Sequence, residues 1–542
     1  FGSRWFGLEL EALVGAYARC SMGLQFLQEE PHPGAGLVGN KTASEDCHDE
    51  GEAITAVIVV ATSVVFASLF YLLDHRRREL NAFTWSLAEA TASIIAAIMI
   101  SEAGKDLLYL IWPSFYALMG FVFGLIMTVL MQVASFIMVN SSDAKTETGL
   151  SQRLVRTRAF SGIAARACGF AWMPFWVSSP LGLPTTSLLM PALAFVGWLL
   201  LMASFQGMRY LLIHANGTVD ETEEQWEKQT NLNEENAAGL TLSFLTSQLC
   251  RYYVGGVVPT PAGVEHGAGE DPENAHAVKH SPGEVVTLIG IAIVFKGLVL
   301  PLERYGNFIA EYIETHPYMH WLLVRSCAVS VNALHKTVGW LILFVMGWCV
   351  SNPQMFGTSS SWSVQVPDQS VQVRAVTAIF CSYLSFSVIT VVSCLPLTPE
   401  SKKGVSLSLN LMVGFGWRRC YGLAVDYTTN YFGPSLFEGI APVEGELILE
   451  IIIGVPLAVL MMQGLYTYIT PKAMKAEANT VLATLPRRPL ILWRHVRRGL
   501  VEHRSSRTAQ NNHLMTCMEL AALQAAAAAR LQREGPSDAT TS

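Results

Sequence analysis

The chain of 542 residues is 51% hydrophobic and only 15% charged, with a formal net charge of −7. Soluble domains carry about 25% charged residues, so the composition excludes an ordinary soluble fold, and the lack of a basic surplus excludes a nucleic-acid binder. No Cys-x-x-Cys pair, Walker loop, nucleophile elbow or His-Glu-x-x-His motif occurs, so the sequence points to no enzyme, metal centre or cofactor.

A helix needs about 20 apolar residues to cross the hydrocarbon core of a bilayer. In chain order, such runs occupy 53–73, 83–103, 114–139, 159–177, 185–213, 285–302, 321–350, 375–395, 405–425 and 447–470. Two further runs, 8–27 and 238–258, are each interrupted by an arginine, Arg19 and Arg251. Counting both predicts an all-α polytopic protein of about 12 transmembrane helices. Residues 1–19 lack the basic start and unbroken apolar run of a signal peptide.

Basic residues collect in cytoplasmic loops. Arg76, Arg77 and Arg78, then Lys145, Arg153, Arg156 and Arg158, then Lys402 and Lys403 fall between alternate spans, and the C-terminal tail is basic as well. Both termini are therefore expected inside, in a plasma membrane or an endomembrane. That orientation puts the sequon Asn40-Lys41-Thr42 outside, as a candidate glycosylation site.

Short stretches recur at a nearly constant offset. GEAIT at 51–55 returns as GEVVT at 283–287, Trp85 matches Trp321, and GFAWMPFW at 169–176 matches GFGWRRCY at 414–421. The same offset carries Arg19 onto Arg251. The reading is two parallel six-helix repeats, 1–213 and 238–470, related by an axis along the membrane normal. An acidic central cytoplasmic loop, 214–237, joins them, and 471–542 forms a cytoplasmic tail.

The loop DHRRREL carries Asp74, Arg76, Arg77 and Arg78, and the matching loop LERYGN carries Glu303, Arg304 and Gly306. In this loop and in its six-plus-six topology the chain resembles the major facilitator superfamily. The resemblance implies a secondary transporter in which two halves rock about a central site.

Ionisable side chains at mid-bilayer cost about 2.5–3.5 kcal/mol on insertion scales, so they mark function by default. Arg325, Asn332 and Lys336 share one helical face by their spacing, with His335 beside them, and these four are candidate pathway residues. Glu89 occupies the position equivalent to Arg325 in the first repeat, which predicts a Glu89–Arg325 ion pair between the repeats. Arg418 and Arg419 stand where the first repeat has Met173 and Pro174, and they complete the candidate set. A structural network, or snorkelling of the arginines toward headgroups, is the alternative reading of the same charges.

In the tail, 487–504 reads as a basic amphipathic helix for an anionic inner leaflet or for a calmodulin-type partner. An alanine-rich helix follows. His266, His276 and His280 are too irregularly spaced for a metal site. The expected activity is permeation of a small polar or anionic solute or ion across the bilayer, by a transporter or by a channel. A membrane receptor or scaffold is the third reading.

Overall fold

The computed structural model describes residues 58, 60–111, 116–140, 147–177, 187–215, 221–257, 280–312, 317–351, 371–436 and 442–484. The expected span 8–27, the sequon at Asn40, His266, His276, the segment 487–504 and the alanine-rich helix lie outside these residues.

Every element is a helix and no strand occurs among the described residues. In order they are α1 (Val60–Leu73), α2 (Arg78–Ile111), α3 (Tyr116–Asn140), α4 (Glu147–Val177), α5 (Leu189–Ala215), α6 (Glu221–Gly255), α7 (Pro282–Tyr312), α8 (Pro317–Ser351), α9 (Val371–Cys394), α10 (Pro399–Leu436) and α11 (Pro442–Gly464). A π-helical turn, Leu465–Ile469, runs on into α12 (Thr470–Thr484). Prolines open α7, α8, α10 and α11, where the missing N–H would have had no intrahelical partner.

The even-numbered helices α2, α4, α6, α8 and α10 form a closed ring, each packed on the next and α10 on α2. All five run in the same direction. Along α2 and α10, Glu79 meets Lys402, Ile94 meets Gly414 and Glu102 meets Arg418. Along α8 and α10, His335 meets Ser408 and Trp340 meets Phe415. Along α6 and α8, Glu234 meets Arg325, Asn236 meets Asn332 and Phe244 meets Trp340. Gln229 on α6 meets Ser161 on α4, and Ala237 meets Gly169. Between α2 and α4, Glu89 meets Arg158 and Ser93 meets Arg166.

The odd-numbered helices return outside this ring. Phe121, Val129 and Phe136 on α3, Val286 and Ile293 on α7, and Ile452 and Leu460 on α11 remain exposed. Such a wide apolar exterior has no place in water, but it suits lipid tails. Glycines let the ring helices approach closely. A Cβ built on Gly169 would stand 2.9 Å from the Ala237 carbonyl oxygen, and one on Gly414 would stand 2.7 Å from Ile94 Cδ1. Small residues at such crossings are how helices pack where solvent gives no hydrophobic drive.

Among the described residues, seven helices are long and apolar enough to cross a membrane: Arg78–Ile111, Met119–Asn140, Leu189–Leu212, Pro282–Gly306, Trp321–Ser351, Val373–Cys394 and Ile451–Thr480. Three ring helices, α4, α6 and α10, fall short because they carry more polar and charged residues. Their place inside the ring is what makes that composition tolerable.

Two expectations are redrawn. The stretch read as the loop 214–237 is helical from Glu221 onward, as the first part of α6. Its polar residues do not loop out, because Thr230, Asn233 and Glu234 are buried against neighbouring helices. The helices of the two expected halves also interleave: α6 packs on α3, α4 and α5, while α2 packs on α9, α10 and α11.

Candidate functional site

The interior of the ring carries its chemistry in layers. Near the starts of the ring helices lies a belt of ion pairs. Arg158 clamps Glu89 at 2.6 Å and reaches Glu477 of α12 at 2.6 Å. Arg325 holds Glu234 at 2.7 Å and Glu235 at 2.6 Å, and also donates to the Asn231 carbonyl at 2.8 Å. Arg209 enters from α5 to meet Glu234 at 2.5 Å with its side chain fully buried. Gln132 of α3 donates to the same carboxylate at 2.7 Å. Lys402 pairs with Glu79 at 2.8 Å. Each charge here has an opposite charge in contact, as burial of ions demands.

The next layer is different. Arg166, two turns beyond Arg158 on α4, hydrogen-bonds the hydroxyl of Ser93. Lys336 on α8 donates to the Asn236 carbonyl at 2.8 Å and is buried. Asn332 donates to Asn236 Oδ1 at 3.0 Å. Among the described residues neither Arg166 nor Lys336 has a carboxylate at ion-pair distance.

One turn further along, aromatic rings fill the centre. Phe170 of α4 meets Phe415 of α10 with centroids 5.1 Å apart. Phe415 lies 3.9 Å from Trp340 of α8, which lies 5.2 Å from Phe244 of α6. Beyond this layer, Arg251 sits 3.9 Å above the ring of Phe344, and Arg419 lies 5.8 Å from the same ring. A cation over an aromatic face is held electrostatically.

The two Gly-Phe-x-Trp stretches are built alike. Trp172 Nε1 donates to Thr128 Oγ1 on α3 at 3.0 Å, and Trp417 Nε1 donates to Ser382 Oγ on α9 at 3.0 Å. In turn Thr128 donates to the Gly124 carbonyl and Ser382 to the Ala378 carbonyl, each one turn back. In both copies Gly faces a neighbouring ring helix, Phe points to the centre, and Trp ties its helix to the outer helix before it.

The sequence-predicted residues fall as follows. Glu89 and Arg325 do not pair with each other; Glu89 is taken by Arg158, and Arg325 by Glu234 and Glu235. The expectation failed because it placed Arg158 in an inner loop and both glutamates in the central loop. Asn332 and Lys336 do share a face, turned to Asn236. His335 points away from them to α7, where Lys296 lies 3.2 Å and Glu303 lies 3.4 Å from its ring nitrogens. Arg418 pairs with Glu102, so only Arg419 stands with Arg251 beside Phe344. His280 stacks on Trp348 at 3.7 Å, and its Nδ1 lies 2.9 Å from a Glu284 carboxylate oxygen.

Arg166, Arg209 and Asn236 are not among the residues that the sequence singles out. A signal existed for Arg166, because it stands one turn before Phe170 just as Lys336 stands one turn before Trp340.

Fold and site together suggest a class: a helical integral membrane protein whose polar groups are gathered inside a ring of parallel helices. Comparison with protein families, with curated proteins and with solved structures finds no match to this chain.

Proposed function

We propose that the protein moves a small polar solute across a membrane through the centre of its helix ring. One observation carries this reading: the helices richest in charge and polar side chains are the inner ones, and apolar helices surround them. Groups that are costly in lipid are kept where they face a pathway or a neighbouring helix. The aromatic layer of Phe170, Phe244, Trp340 and Phe415 closes the ring, so passage requires those rings to turn aside.

Because helices of both halves interlock, displacement of this layer is the simplest opening motion, and the behaviour is that of a gated conduit. Rocking of two six-helix halves, as the likeness to the major facilitator superfamily implies, is the second reading. It draws support from the matched geometry of the two Gly-Phe-x-Trp stretches, which is what a duplicated unit would leave behind. In this proposal both termini are cytoplasmic and twelve helices span the bilayer.

Flux into proteoliposomes reconstituted with the full chain tests the proposal. Uptake of a panel of small ions and polar solutes above protein-free vesicles supports it. Saturation and counterflow assign it to the rocking reading, whereas non-saturating flux assigns it to the conduit. Absence of flux for every solute, with the protein folded, overturns both in favour of a receptor or scaffold.

A further inference from the structure

The two cations of the middle layer have an arrangement that the belt below them lacks. Arg166 and Lys336 stand on α4 and α8, which are not neighbours in the ring, since α6 lies between them on one side and α2 and α10 on the other. Each sits one turn before an aromatic residue of the central layer, Phe170 and Trp340. The two side chains therefore reach toward the axis at one height, on the same side of the aromatic closure. Like charges placed at one height inside a ring of helices repel.

Elsewhere in the bundle an acid meets the cation: Arg158, Arg209, Arg325 and Arg418 each touch a carboxylate. For Arg166 and Lys336 it supplies only neutral partners, the hydroxyl of Ser93 and the carbonyl of Asn236. Those bonds use one guanidinium nitrogen of Arg166 and one ammonium proton of Lys336. A guanidinium has five N–H donors and an ammonium three, so most of the donors stay open. Two cations with no carboxylate in contact are expensive in a poorly polarisable interior, even with the charge of Glu89, itself clamped by Arg158, acting on Arg166 from farther off. An anion placed between them removes both the repulsion and the unmet donors.

We infer that Arg166 and Lys336 form a binding site for a small inorganic anion at the centre of the ring, beneath the aromatic layer. The planar fork of Arg166 suits an oxyanion such as nitrate, and the compact ammonium of Lys336 suits any small anion as a point charge. This deepens the proposed function by naming the class of solute, and it rests on the ring being a pathway only for that step. Binding itself does not need flux.

The test uses the purified full-length chain in detergent, with gluconate as the starting anion. Titration of nitrate, and separately of chloride, is followed by thermal unfolding, since a ligand bound only by the folded state raises Tm with concentration. Saturable stabilisation is expected for the wild type. Arg166→Gln and Lys336→Gln should each weaken the apparent affinity at least about tenfold. In gluconate alone each should unfold no lower than the wild type, because it removes a repulsion. A merely structural role would give the opposite sign there. Should a glutamine variant fail to fold, Arg166→Lys and Lys336→Arg keep the charge and should keep a saturable response.

No saturable effect of nitrate or chloride on the wild type overturns the inference. So does an unchanged response in Arg166→Gln/Lys336→Gln. Anion binding without flux would leave this site standing and remove the conduit. Flux of a cation or a neutral solute with no anion effect would do the reverse.

Discussion

The rings of Phe170 and Phe415 meet edge to face, 5.1 Å between centroids at an interplanar angle of 70°, although α4 and α10 are not adjacent in the ring. The contact therefore crosses the axis. Each phenylalanine follows a glycine that brings its helix close to a neighbour, Gly169 to Ala237 and Gly414 to Ile94. The two stretches that repeat in the sequence thus meet at the centre of the fold.

Truncating this layer should open the proposed pathway. Phe170→Ala with Phe415→Ala is expected to raise flux in proteoliposomes by about tenfold or more over the wild type at equal protein loading, the equivalent of removing about 1.4 kcal/mol from the barrier. It should also lower Tm, since Phe→Ala in a packed interior costs about 3–5 kcal/mol per site. Equal or lower flux from folded protein would show that the layer is packing and not a closure.

The ion-pair belt makes a choice between two charge swaps. Glu89→Arg with Arg158→Glu should recover most of the stability lost in either single variant, because the pair is largely shielded from water. Breaking a buried pair costs about 3–5 kcal/mol. Glu89→Arg with Arg325→Glu should show no such recovery. Thermal unfolding of all the single and double variants, read as coupling energies, decides between them.

Glu477 should matter far less than Glu89. Both carboxylates reach Arg158, but the Glu477 side chain is 42% exposed and that of Glu89 is 11% exposed. Glu477→Ala is expected to cost less than about 1 kcal/mol, as for surface pairs, with a further loss of effect at high salt. A cost equal to that of Glu89→Ala would mean that α12 is anchored chiefly through this charge.

The glycines separate by what surrounds them. Gly414→Ala should destabilise by about 1–3 kcal/mol, because the new methyl meets Ile94. Gly297→Ala on α7 meets nothing within 4 Å, and it should stabilise by about 0.5–1 kcal/mol through the gain in helix propensity. Thermal unfolding in one detergent measures both, and a shared sign would contradict the ring packing.

The outer helices were the easiest part to read from sequence. A surface against lipid must be apolar along most of its length, as in α3, α7 and α9, and hydropathy reports that directly. The inner helices were partly hidden for the same physical reason. The polar start of α6 reads as a loop when judged by hydropathy, because nothing local reveals that Arg325 and Arg209 will neutralise Glu234. The partners of Glu89 and Arg325 were misassigned through sequence equivalence, which identifies matching positions but not contacts. By contrast the two Gly-Phe-x-Trp stretches were visible in the sequence, and in both the Gly faces a neighbouring ring helix, the Phe faces the centre and the Trp bonds the outer helix before it.

Parallel running of the ring helices has an electrical consequence. Each helix carries about half a positive charge at its start and half a negative charge at its end, and here all five are summed around one axis. The mouth beside Glu79, Glu89 and Glu234 is therefore the positive pole of the backbone, which the carboxylates there temper. The opposite mouth is the negative pole, where Arg251, Arg418 and Arg419 lie. The antiparallel outer helices offset this field less well near the axis than far from it. In the proposed conduit, a charged solute entering from one side would meet a different potential profile from one entering from the other.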